Sequence, residues 1–122
     1  MYIFSFNDTL NKIDKNLIDI FNNKDLYIKG SYVLNLLFDI PYNDIDCITT
    51  NKNITKLKYY EKCSIDSLQY TTISEFLTTN NIVNIYKCIY SIYYNCFICD
   101  KNFLEFLKIK KLRLTNNKKD HH

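Results

Sequence analysis

The sequence predicts an α+β fold. Three observations carry this: apolar residues at helical spacing near both ends of the chain, short alternating segments between them, and a sharp break at the one glycine. From Asp8 to Phe21, the residues Leu10, Ile13, Leu17 and Ile20/Phe21 recur at helical intervals among Asn, Asp and Lys, as in an amphipathic helix packed on a sheet. Asn22-Asn23-Lys24-Asp25 ends that helix. Leu26–Lys29 then reads as a strand and Tyr32–Phe38 as a helix, with Gly30-Ser31 at their junction. Pro41 and Asn43 break the chain, and Asp44–Thr49 alternates as a strand should, which puts Asp44 and Asp46 on one face. A short helix is expected over Asn53–Lys62, carrying Ile54 and Leu57, followed by a strand over Ser64–Ile73. Glu75-Phe76-Leu77 fits a strand end or a helical turn, Thr78–Asn81 a turn, Ile82–Ile89 a strand, and a further strand falls within Ile92–Cys99. The closing helix begins near Asn102, which makes a capping pair with Glu105, and it carries Phe103, Leu104, Phe106, Leu107 and Leu112.

With 122 residues, 47% hydrophobic and 24% charged, the chain suits one globular domain spanning residues 1–122, with a basic tail over about 108–122. The longest weakly polar stretch, Cys88–Cys99, is too short to span a bilayer and contains Ser91 and Asn95, so no membrane association is expected. The amino terminus lacks the basic start and apolar run of an export signal. A cytoplasmic, reducing location is the corresponding expectation. The five cysteines, an odd number scattered through apolar patterns, fit buried reduced thiols better than a disulfide framework. Cys96 and Cys99 lack the two further ligands that a structural zinc site needs. Heavy use of Asn, Ile, Lys and Tyr suggests an AT-rich coding sequence, so the tyrosines are assigned no stacking role.

Gly30-Ser31 is the feature that points to chemistry. A Gly-Ser between a strand and a helix lets the backbone approach a phosphate and aims the first amides of the helix at it. Twelve residues separate that pair from Asp44-Ile45-Asp46, and two carboxylates on one face beside a phosphate cradle describe a magnesium–nucleotide site. The plainer alternative makes Gly30 a tight turn and Asp44 a polar residue of the Pro41–Asn43 turn. The segment from about Lys29 to Thr49 resembles the nucleotidyltransferase superfamily, the DNA polymerase beta-like group, and most closely the head domain of CCA-adding enzymes and poly(A) polymerases. The matching residues are Gly30, Ser31, Asp44 and Asp46, with Val33-Leu34-Asn35-Leu36-Leu37 in the helix; Leu34-Asn35 stands where that head carries Arg-Asp.

The resemblance implies a small mixed β-sheet flanked by helices. It also implies a nucleoside triphosphate, such as ATP, held by Gly30 and Ser31, and one or two Mg²⁺ ions on Asp44 and Asp46 that offset charge on the transferred group. Many members carry a third acidic residue on a later strand as general base. Asp66 is the first candidate here and Glu75 the second, and a non-catalytic member lacking this residue is the alternative. Lys108, Lys110, Lys111, Arg113, Lys118 and Lys119 crowd the tail against Asp120 alone. Lys108, Lys111 and Arg113 are accordingly candidate contacts for RNA or DNA phosphates, the alternative being a solvated helix face. Three functions remain open: nucleotidyl transfer to a nucleic acid, a protein or a small hydroxylated acceptor; an inactive binding or regulatory domain; and a small basic nucleic-acid-binding protein. No substrate-recognition domain is visible, so a partner subunit is expected to supply one.

Overall fold

A computed structural model describes residues 1–57, 65–80 and 82–120, the last ten of these by backbone course alone. The strands are β1 (Tyr2–Phe4), β2 (Leu26–Lys29), β3 (Ile45–Thr49), β4 (Ile65–Tyr70), β5 (Cys88–Ser91) and β6 (Cys96–Cys99). The helices are α1 (Lys15–Phe21), α2 (Ser31–Phe38), α3 (Ile73–Thr78) and α4 (Lys101–Asp120), with 3₁₀ turns at Thr9–Lys12 and Asn84–Tyr86. One six-stranded sheet forms in the order β1-β6-β5-β2-β3-β4. It is mixed: β3 and β4 run parallel, and the other neighbours are antiparallel.

Side chains alternate across these strands, so the four inner strands, β6, β5, β2 and β3, each feed two cores. Ile28, Cys47, Tyr90 and Phe97 face one way, against Leu17 and Phe21 of α1, Val33 and Leu36 of α2, and Phe103 and Leu107 of α4. Tyr27, Ile48, Ile89 and Ile98 face the other way, against Phe76 and Leu77 of α3. Lys29 and Asp46 are cross-strand partners that alternate onto the α3 face.

Several local expectations are corrected. The helix expected from Asp8 to Phe21 is divided, because Ile13 is extended and the Asp14 carboxylate accepts the Asn16 N–H at 2.7 Å, starting α1 afresh. Ile13, Leu17 and Phe21 are buried all the same. The described part of the Asn53–Lys62 helix is not helical. There Asn51 Oδ1 accepts the Asn53 N–H at 3.0 Å, a side-chain turn that competes with a helical one; Lys58–Lys62 lie outside the described residues. The strand expected over Ile82–Ile89 begins only at Cys88. Before it the Tyr86 and Lys87 N–H groups bond Val83 and Asn84 carbonyls, which removes them from any ladder. Glu75-Phe76-Leu77 is helical, within α3. The cap of α4 is Asp100, not Asn102: its Oδ1 accepts the Phe103 N–H at 2.8 Å. Among the described residues no helix is long and apolar enough to cross a membrane.

Candidate functional site

The β2–α2–β3 unit turns at Gly30, whose backbone lies at φ 77°, ψ −150°. Only glycine occupies this region without strain. The turn starts α2 directly after β2: the Val33 N–H bonds the Gly30 carbonyl at 3.1 Å, and the Ser31 and Tyr32 amides lie ahead of it at the helix start. At the far end of α2, Asp39 adopts the left-handed conformation and its N–H bonds the Asn35 carbonyl at 3.0 Å. The Asn35 side chain donates to the Ile40 carbonyl at 2.9 Å, and Leu34 is buried. Leu34 and Asn35 therefore serve packing and the turn that returns the chain to β3.

That return sets Asp46 beside Gly30. A β-carbon at Gly30 would stand 3.5 Å from Asp46 Oδ2. Asp46 Oδ1 accepts the Ser67 hydroxyl at 2.7 Å across the parallel β3–β4 pair. Lys29, in register with Asp46, donates to Gln69 Oε1 at 3.2 Å and lies 5.9 Å from the centre of the Phe76 ring. Lys29, Gly30, Asp46 and Phe76 border a cleft of about 500 Å³. Its polar wall is Lys29, Gly30, Ser31, Asn43, Asp44 and Asp46, and its other wall is Phe76, Ile82, Val83 and Tyr86. The cleft thus holds Gly30, Ser31, Asp44 and Asp46 together.

Asp66 is not brought there. A bulge opposite the Ile45–Asp46 step shifts the register, so Ile45 pairs with Ile65 but Asp46 with Ser67, leaving Asp66 as the extra residue. Asp66 is exposed and lines a separate 170 Å³ depression with Thr55, Lys56 and Leu57. Glu75 is also outside the cleft, where its carboxylate accepts the Thr71 hydroxyl at 3.3 Å. The strand position beside Asp46 is therefore a serine, and among the described residues no cluster of three or more His, Cys, Asp or Glu is placed to hold a metal. Two carboxylates still suffice for Mg²⁺ when phosphate oxygens and water complete its shell.

Burial pushes the Cys47 thiol, on the opposite face from Asp46, up to about 12; the Asp46 charge adds to the rise and Lys29 offsets part of it. Cys47 is a packing residue whose Sγ donates to the Ser67 carbonyl at 3.1 Å. Of the basic tail, Lys108 is exposed on α4 and does not line the cleft, while the side chains of Lys111 and Arg113 lie outside the described residues. Sequence reasoning missed Lys29, Ser67 and the Phe76–Tyr86 wall. Lys29 was legible as the neighbour of Gly30, but Ser67 depends on the bulge and the wall on two segments distant from the motif. No family model matches this chain, and neither a curated protein nor a solved structure matches it.

Proposed function

We propose that the chain is a nucleotidyltransferase-like domain that binds a magnesium–nucleoside triphosphate complex in the cleft and serves as a binding rather than a transferring module. The observation that carries the reading is the meeting of Gly30 with Asp46, 3.5 Å from the β-carbon position to the carboxylate, at the start of α2. A helix start favours phosphate, a carboxylate alone repels it, and a divalent cation between them reverses that sign. Asp44 and Asp46 would hold the ion, and Gly30 and Ser31 the phosphates. The bound ion would supply charge neutralisation. Ser67 at the position beside Asp46 favours binding over transfer, because a serine hydroxyl donating to Asp46 is not poised to take a proton from an acceptor.

Calorimetry with ATP in the presence and absence of Mg²⁺ tests the reading. Binding should require Mg²⁺, and Asp46→Asn should weaken it about tenfold or more, since one charge-assisted contact is worth about 1.5–3 kcal/mol. Equal affinity with and without Mg²⁺ removes the metal site. Pyrophosphate release that depends on Asp46 would restore the transfer reading.

A further inference from the structure

The two walls of the cleft are chemically unlike. One presents a cation, a helix start and two carboxylates; the other presents Phe76, Ile82, Val83 and Tyr86. Val83 is 65% exposed and Tyr86 37% exposed. A single exposed apolar residue is ordinary, but here two stand next to Phe76 and Ile82 on one side of one cavity. The volume, about 500 Å³, is that of a small-molecule site, which characteristically joins an apolar lining to a few placed polar groups.

Lys29 fixes the polarity of the cleft. Its ammonium is held by neutral partners, the Gln69 amide oxygen and the Phe76 ring, and among the described residues no carboxylate forms an ion pair with it. Its charge is left to a ligand. A bare polyphosphate would satisfy this end and leave the apolar wall in water. A nucleotide satisfies both ends, since a base offers a π-face to an aromatic ring.

We infer that the wall of Val83 and Tyr86 is the seat of the base, so that the cleft takes a nucleoside triphosphate in one orientation, phosphates on Lys29–Ser31, without reading which base it is. The inference rests on the magnesium–nucleotide reading above. Indifference to the base follows from what the wall lacks. Discriminating bases requires donors and acceptors aimed at their edges. Among the described residues of this wall, the side-chain polar atom is the Tyr86 hydroxyl, and the Tyr86 N–H is already taken by the Val83 carbonyl at 2.9 Å.

The test is calorimetry on the full chain in Mg²⁺ with ATP, GTP and inorganic tripolyphosphate. ATP and GTP should bind within about threefold of each other, and tripolyphosphate about tenfold more weakly, the value of one stacked base. Tyr86→Ala should bring ATP down to the level of tripolyphosphate and leave tripolyphosphate unchanged. If that variant does not fold, Val83→Ser, an uncharged change at a position 65% exposed, should produce the same selective loss. Tripolyphosphate binding as tightly as ATP, a large preference for one base, or ATP binding unaffected in a folded variant overturns the inference alone. If none of the three ligands binds, the magnesium–nucleotide reading falls and the inference with it.

Discussion

Gly30 is constrained by its backbone rather than by crowding. The nearest atom to a β-carbon there is Asp46 Oδ2 at 3.5 Å, an ordinary contact, whereas φ of 77° is a conformation that side-chain-bearing residues rarely hold. Gly30→Ala should therefore cost stability, about 1–3 kcal/mol by urea unfolding. A negligible change would mean that the strand-to-helix turn relaxes freely. The proximity of Gly30 to Asp46 was legible because a short helix and a turn leave the chain few ways to return. Ser67 and Asp66 were not legible, because one extra residue in β4 exchanges which of them faces Asp46. No periodicity in Ser64–Ile73 marks that exchange.

At the level of elements, β2, α2 and β3 were legible because each carries its own local signal: alternation, helical spacing, and a glycine or proline at the boundary. Tyr2–Phe4 was not recognised as a strand, since its pairing with β6 supplies what three residues cannot supply alone. The Ile82–Ile89 segment reads as β-rich, yet Asn84–Tyr86 turns in a 3₁₀ conformation, and the extended Val83 before it is exposed and lies on the cleft. Helix α4 extends the basic tail away from its buried anchors, Phe103 and Leu107, which lie on the sheet face opposite α3. If that helix contacts single-stranded nucleic acid, affinity should fall steeply with salt, and charge reversal at Lys108 and Lys111, neighbours at i,i+3, should remove most of that slope. ATP affinity should stay unchanged, because Lys108 does not line the cleft. Filter binding across a salt series, with calorimetry beside it, reads both outcomes. Nucleic-acid binding that keeps its salt slope in the variant would assign the lysines to a solvated face.

For the molecule as a whole, helices pack on both faces of the inner strands, and that packing buries acids that must stay neutral. Burial raises the Cys47 thiol to about 12 and the Tyr90 phenol also to about 12. Cys99 rises to about 11, and Cys88 rises well above its ordinary value. Each proton is held more tightly in the folded chain than in the unfolded one. The resulting stability is complete below the unfolded thiol value of 9.0 and is lost as the pH rises toward about 12, because the unfolded chain ionises first. Urea midpoints should therefore fall progressively above pH 9.0, the value at which an unfolded thiol is half ionised. Cys47→Ser and Cys99→Ala should flatten that fall; a midpoint independent of pH across this range would show that the thiols are accessible in the native state.

The pairing of β1 with β6 joins Tyr2 to Cys99, which gives the order of synthesis a consequence. A ribosome releases Tyr2–Phe4 early, but the strand that receives it emerges only after the other four strands have been made. Likewise β2 meets β5 only after β3, β4 and α3 have been translated. The sheet therefore cannot be completed progressively from its first edge, and contacts this distant along the chain slow the search for the native pairing. Ile3, still 64% exposed once paired, waits through that interval beside Phe4 and Phe6. The nascent chain holds an apolar, strand-forming segment in the open, where another chain or a chaperone can reach it before Cys96–Cys99 does.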